Sequence, residues 1–131
     1  MIKVMSVPEI VNLFIMENFL LLIREDVKKE SLVSEEEFDA NIQKMTKWVE
    51  ELAESGNYIS GEPLKTTGRY VGKDYILSDG PFIEAKEAIS GYIFIQAENI
   101  NQAAAIAQNC PEVLDGRVVI EVRPIIEIDN D

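Results

Sequence analysis

The alternation of apolar and polar positions predicts a strand followed by a long helix in the first half of the chain. Phe19–Ile23 is a continuous apolar run, which is typical of a central strand buried on both faces. From Phe38 to Leu52, apolar residues recur every three or four positions and predict one face of an amphipathic helix. A capping box at Ser34 and a stop at Ser55-Gly56 set the expected limits of that helix.

The second half of the chain predicts a hairpin region, a strand, a helix and a last strand. Between residues 58 and 78, short β-forming runs alternate with Gly and Pro, which predicts twisted hairpin strands at a sheet edge. A strand is expected over Ile89–Ala97, an Ala-rich helix over Asn99–Asn109, and a long strand over Val118–Ile128. The order β-α-β-β-α-β predicts an α+β fold, a ferredoxin-like sandwich with two helices on one face of a four-stranded antiparallel sheet.

The other face of this predicted sheet has no helix to cover it. It would expose Tyr92, Phe94 and part of the apolar first strand. Large apolar side chains on an open face indicate an interface, so we expect a homodimer in which a second subunit covers them. Two sheets packed in this way would form a dimeric α+β barrel.

The first residues are read as an extension of a single domain over residues 16–131. Ser6-Val7-Pro8-Glu9 looks like a capping box that opens a short helix. We expect residues 1–15 to form either an arm that clasps a second subunit or a cover for the core. A start of translation at Met16 would be another explanation for the extension. The segment lacks the apolar core and small-residue cleavage site of a signal peptide.

Composition excludes several classes of function. The net charge of -12, from 24 acidic and 12 basic residues, opposes binding to nucleic acid or to anionic membrane surfaces. The single cysteine, Cys110, excludes an internal disulfide and fits a cytoplasmic protein. The chain has no histidine, which excludes a Ser-His-Asp or Cys-His nucleophile and any His-ligated metal. We therefore expect no metal site and no cofactor, and any acid–base chemistry would use carboxylates, Lys or Tyr.

A charged turn between two apolar runs stands out from the rest of the sequence. Asp79-Gly80-Pro81-Phe82 is followed by Glu84, Lys86 and Glu87. Gly tolerates positive φ and Pro restricts its own φ, so such a turn holds its charged side chains in defined positions.

This turn resembles the signature of the DGPF branch of the YCII-related family. The similarity extends from about Glu17 to the C-terminus. It rests on four further segments: Gly61-Glu62-Pro63-Leu64, Ser90-Gly91-Tyr92, Asn109-Cys110-Pro111 and Glu121-Val122-Arg123-Pro124. The resemblance implies a small α+β protein that dimerises and has no settled reaction.

The resemblance also implies two classes of function. Relatives on this fold include cofactor-free isomerases and lyases, which implies a pocket and proton transfer on a small metabolite. In the family, that site is a His paired with an Asp, and this chain has no His. DGPF proteins are often encoded beside extracytoplasmic-function sigma factors, which implies instead a regulatory or accessory module that binds a ligand or a partner.

The signature turn supplies the first candidate site residues, each with a structural alternative. Asp79 is the candidate catalytic base, and its alternative role is to cap the turn. Lys86 and Glu87 are candidate ligand-binding residues, with Lys86 neutralising the carboxylate or phosphate of a small anionic metabolite. Their alternative role is an ion pair with each other. Glu84 is interpreted as a solvated partner.

The remaining candidates lie on predicted strands. Arg123 can bind an anion while Glu121 orients its guanidinium, or the two can form salt bridges between subunits. Tyr92 can donate a hydrogen bond to a ligand or pack on the sheet. If Asp79, Lys86 and Arg123 converge in a cavity, small-molecule chemistry is favoured; if they lie apart on the surface, partner binding is favoured.

Overall fold

The computed structural model describes residues 15–26, 34–65, 67–78 and 87–128. The predicted N-terminal helix falls on residues outside these ranges. The described elements, in chain order, are β1 (Glu17–Asp26), α1 (Glu35–Glu54), β2 (Tyr58–Pro63), β3 (Arg69–Val71), β4 (Ile76–Ser78), β5 (Glu87–Ala97), α2 (Ile100–Gln108), α3 (Pro111–Leu114) and β6 (Val118–Pro124).

Four of the strands form one antiparallel sheet in the order β2-β5-β1-β6. With α1 between β1 and β2 and α2 between β5 and β6, this arrangement confirms the α+β class and is compatible with a ferredoxin-like sandwich. β3 and β4 pair with each other in a separate two-stranded sheet. β2 lies at an edge of the main sheet as predicted, but β3 and β4 do not extend that edge, and Lys65 and Thr67 lie outside the strands.

The capping residues of α1 confirm its predicted limits. The side-chain oxygen of Ser34 accepts a hydrogen bond from the backbone N–H of Glu37 at 3.1 Å. At the other end, Gly56 has a φ of 80°, a left-handed conformation that favours glycine after a helix. Trp48 and Leu52 are buried as expected, with 6% and 7% exposure.

β1 lies in the interior of the sheet, between β5 and β6, as its apolar run predicted. Its two faces are not equally buried, however. Phe19, Leu21 and Ile23 face the helices and belong to the core, whereas Leu20 and Leu22 on the opposite face are only partly buried. Burial of this second face would need a partner surface and stays a prediction, because the described helices cover one side of the sheet.

The α2–α3 region buries the only cysteine of the chain. Asn99 caps α2 by accepting a hydrogen bond from the N–H of Gln102 at 2.9 Å. Cys110 then precedes a short helix that the sequence did not predict, with Pro111 at its first position. The thiol is fully buried, 3.6 Å from the sulfur of Met45, and this burial raises its pKa. Cys110 is thus a core residue.

Two strand boundaries differ from the prediction. β5 begins at Glu87, two residues earlier than expected, and β6 ends at Pro124 rather than Ile128. Pairing with β1 stops near Pro124, and the last contact is a 3.0 Å hydrogen bond from the N–H of Ile125 to the carbonyl of Asn18. Beyond it, Ile126 is 85% exposed, so apolar sequence alone did not extend the strand.

Candidate functional site

The structure describes only part of the predicted site. Asp79, Glu84 and Lys86 lie outside the described residues, and so does the side chain of Glu87. The backbone of Glu87 begins β5 opposite Asp26. The convergence of Asp79, Lys86 and Arg123 therefore stays a prediction.

Arg123 lies on the face of the sheet opposite the helices, in a network with two other charged residues. Its guanidinium contacts Oε2 of Glu121 at 3.2 Å, and the guanidinium of Arg24 contacts Oε1 of the same carboxylate at 3.0 and 3.1 Å. The hydrogen bond from Arg24, followed by that from Arg123, lowers the pKa of Glu121. Glu121 and Arg123 share a face as predicted.

Arg24 was missed by the sequence interpretation. The predicted strand ended at Ile23, whereas β1 continues to Asp26. Register places Leu22 opposite Glu121, so Arg24, two positions along β1, lies on the same face as the carboxylate. The sequence could have indicated Arg24 if the first strand had been extended beyond Ile23. Arg24 then lies two positions after Leu22 and therefore on the same face of the strand.

Tyr92 packs on the same outer face. Its ring meets that of Phe94 edge to face, with centroids 5.6 Å apart and an interplanar angle of 74°. Its cross-strand partner on β1 is Leu22. This arrangement gives the ring of Tyr92 a packing contact, and the residue also belongs to the lining of the pocket described next. Its role as a hydrogen-bond donor to a ligand stays a prediction.

The opposite side of the sheet holds a pocket of about 660 Å³, near the start of β5. Its walls come from one face of α1, from the ends of β1 and β2, and from residues 90–93 of β5. Aliphatic, aromatic and thioether side chains dominate the described lining; they include Ile23, Phe38, Ile42, Met45, Val49 and Leu64. A mostly apolar cavity of this size is typical of small-molecule sites.

The apolar face of α1 extends beyond the part of the helix that packs on the core, and the pocket lies along this extension. In its C-terminal half, Trp48 and Leu52 are buried against the core. In its N-terminal half, Phe38 is 53% exposed and Ile42 is 49% exposed, and both line the pocket. The periodicity predicted one continuous core-facing stripe, and the structure divides that stripe between the core and a cavity.

Two of the segments that carried the family resemblance meet at this pocket. Pro63 pairs with Gly91, and the N–H of Leu64 donates a 2.8 Å hydrogen bond to the carbonyl of Ser90. The strands approach closely at Gly61, where an added Cβ would lie 2.8 Å from the carbonyl oxygen of Tyr92. Gly61–Leu64 and Ser90–Tyr92 thus form adjacent parts of one wall, although they lie about thirty residues apart in sequence.

The charged residues of the described lining are mainly acidic. They are Glu25, Glu50, Glu62 and Glu112, together with Arg117. Arg117 is the only basic side chain among the described lining residues, and it lies 3.6 Å from the carboxylate of Glu37. Asn41, Thr46 and Ser90 add neutral polar groups. This lining can accommodate an apolar body and can donate or accept hydrogen bonds at its edge.

Within the described ranges, no group of three or more Cys, Asp or Glu residues is arranged to hold a metal ion. None of the described helices is long and apolar enough to cross a membrane.

Comparison with known proteins identifies the family. No curated protein sequence matches this chain. The sequence model of the YCII-related domain matches residues 18–129, which include every described element except the first residue of β1. The chain therefore belongs to the YCII-related family.

Proposed function

We propose that this protein binds a small molecule in the pocket between α1 and the sheet. The observation that carries the proposal is the 660 Å³ cavity with exposed Phe38 and Ile42 in its wall. Leaving two large apolar side chains half exposed costs stability that burial would have supplied. A ligand that covers them would recover that free energy, which gives the cavity a physical reason to bind.

The lining favours a ligand with an apolar body and a polar end that is neutral or positively charged. Four carboxylates and one arginine, already beside Glu37, contribute charge to the described wall. The net charge of -12 adds a field that repels anions at long range. The anionic ligand expected from Lys86 and Arg123 is therefore less favoured here, since Arg123 lies on the other face of the sheet beside Glu121.

Several finer statements belong to the same proposal. We place the chain in the DGPF branch because of the residues at 79–87, and in the cytoplasm because of its single cysteine. We also propose that it forms a homodimer in which the outer faces of two sheets pack as an α+β barrel. Partly buried Leu20 and Leu22 and the Tyr92–Phe94 pair on that face support this packing. Asp79 stays the candidate base if the bound molecule is also turned over.

The first experiment measures binding to the pocket with three probes that share one apolar body. The probes are 3-phenylpropylamine, 3-phenylpropanol and 3-phenylpropanoate. Each is titrated into the protein while the chemical shifts of the backbone amides are recorded by NMR. We expect shifts at residues 90–93 and in the N-terminal half of α1, strongest for the amine or the alcohol. Absence of shifts at both segments with all three probes would contradict the proposal.

A pair of α1 variants tests the location of binding. Thr46 lines the pocket and Lys47 does not, although both are exposed on the same helix. Thr46→Phe should fill the cavity and abolish binding, while Lys47→Phe should leave binding unchanged. Equal loss in both variants would show that the probes bind elsewhere or that the added aromatic ring perturbs the helix.

A second pair of variants tests the charge preference. Glu50→Gln removes a lining carboxylate, and Glu51→Gln removes its exposed neighbour outside the pocket. Exposed charge pairs contribute about 0–1 kcal/mol, so we expect Glu50→Gln to weaken amine binding by about two- to fivefold. Alcohol binding should not change in either variant. A stronger response to the carboxylate probe in the wild type would overturn the charge preference but not the pocket.

A further inference from the structure

The hairpin formed by β3 and β4 exposes five large apolar side chains. We refer to residues 67–78 as the arm. Every residue of its two strands is exposed. Its large apolar side chains have the following exposures: Tyr70 48%, Val71 72%, Tyr75 56%, Ile76 70% and Leu77 44%.

A hairpin of this kind is not expected to be stable by itself. Its ladder has three residue pairs, from Arg69–Ser78 to Val71–Ile76, and neither strand joins the main sheet. A two-stranded hairpin in water is marginal unless a further strand or a helix packs against it. The arm therefore has an apolar surface that can be buried, and packing against another surface would stabilise it.

The charge of the arm is opposite to that of the rest of the molecule. It contains Arg69 and Lys73 against a single acid, Asp74, and Lys65 lies two positions before its first residue. The whole chain has twice as many acidic as basic residues. Surfaces of complementary charge attract each other and align their encounter, so the surface that this arm fits should be apolar and acidic.

The first turns of α1 have this composition. Glu35, Glu36 and Asp39 are exposed, and no basic residue occurs in the helix before Lys44. Phe38 and Ile42, about half exposed, provide apolar area within the acidic surface. Among the described parts of the chain, this region combines exposed aromatic or aliphatic side chains with a concentration of acids.

We propose that the arm of one protomer docks on the N-terminal half of α1 in a second copy of the chain. The inference rests on the homodimer proposed above and specifies a contact beyond the packed sheets. In a twofold dimer the exchange is reciprocal, so each protomer supplies one arm and one acidic surface. Each protomer therefore contributes the area of one arm and one acidic surface toward the roughly 800 Å² per partner of a stable interface. The docked arm lies at the mouth of the partner's pocket, because Phe38 and Ile42 line that pocket.

The first test removes the apolar surface of the arm and measures the dimer dissociation constant by analytical ultracentrifugation. We expect the Val71→Ser, Ile76→Ser double variant to raise this constant at least tenfold, because these are the two most exposed apolar side chains of the arm and would be central to the contact. The matched control is Leu114→Ser with Ile126→Ser, which removes exposed aliphatic side chains outside the arm. The control should dissociate like the wild type.

The second test exchanges charges. Lys65→Glu with Lys73→Glu should weaken the dimer, and Glu36→Lys with Asp39→Lys should weaken it to a similar extent. Combining all four changes should restore the dissociation constant, because opposite charges face each other again. Glu51→Lys with Glu54→Lys, at the other end of α1, makes the same change in net charge and should have no effect.

The outcomes separate the two proposals. A wild-type chain that sediments as a monomer at every concentration overturns both the dimer and the arm contact. A dimer that responds to neither arm substitution, or whose four-residue charge exchange fails to restore association, overturns the arm contact and leaves the sheet-packed dimer standing. Circular dichroism of each variant confirms that the compared chains are folded.

Discussion

The two faces of the main sheet are made by the same strands but have different environments. On the inner face, Leu21 and Ile95 are completely buried under the helices. On the outer face, Leu20, Leu22 and the Tyr92–Phe94 pair are only partly buried, and the Arg24–Glu121–Arg123 network lies beside them. Strand alternation sets which residues share a face. The comparison of the two faces shows that strand alternation does not determine whether a face is covered by other elements.

Two adjacent leucines of β1 provide the strongest test of this comparison. Leu21→Ala should lower the free energy of unfolding by about 2–5 kcal/mol, because it leaves a cavity in the core. Leu22→Ala should lower it by about 1 kcal/mol or less in a monomer, because its side chain already contacts solvent. Urea denaturation measures both values.

Repeating these measurements at high and low protein concentration sharpens the result. If a second sheet covers the outer face, the effect of Leu22→Ala should grow with concentration while that of Leu21→Ala does not. Equal and concentration-independent effects of the two substitutions would contradict the difference between the faces.

Substitution of Gly61 should produce the next largest effect. Its added Cβ would lie 2.8 Å from the carbonyl oxygen of Tyr92 and 3.2 Å from Cγ1 of Ile93. We expect Gly61→Ala to cost about 1–3 kcal/mol of stability, since β2 would have to move away from β5. Gly91→Ala is the matched control, because its closest contact would be 3.3 Å, and it should cost less. Thermal denaturation compares the two, and a reversed order would contradict the close approach of the strands at Gly61.

The smallest predicted effect concerns the charges of the outer face. The pKa of Glu121 in the folded chain is lowered from its ordinary value of 4.5 by Arg24 and Arg123. Its contribution to stability is therefore fully present above that value and is lost as the pH falls through the lower folded-state pKa. Glu121→Gln should lower the Tm slightly at neutral pH, and the difference from the wild type should disappear in acid.

The pH series has its own control. Glu98→Gln changes an exposed carboxylate at the end of β5, away from the network, and should leave the Tm unchanged at both pH values. A wild-type advantage over Glu121→Gln that grows in acid would show that the carboxylate does not stabilise the folded state through these arginines.

Much of the fold could be predicted because its signals are local. Ser34 and Gly56 mark the ends of α1 through hydrogen bonding and backbone conformation within a few residues. The same is true of Asn99 at the start of α2. The end of β6 was not predictable in this way, because Ile126 and Ile128 continue the apolar sequence where pairing with β1 has ended.

The candidate site was much less predictable. The stripe from Phe38 to Leu52 is one pattern in sequence, but only its C-terminal half meets a core. Gly61–Leu64 and Ser90–Tyr92 were recognised by their resemblance to a family, and nothing local showed that they are neighbours. Their adjacency is a property of the β2–β5 register.

The sequence by itself determined the kinds of elements, most of their limits, and the chemistry that a chain without histidine cannot use. These properties depend on composition and on hydrogen bonds between near neighbours. The tertiary structure alone decided that half of the apolar face of α1 borders a cavity, that Arg24 joins Glu121, and that Cys110 lies in the core. Each of these features depends on contacts between residues far apart in the chain, and such contacts are set by packing and register rather than by local pattern.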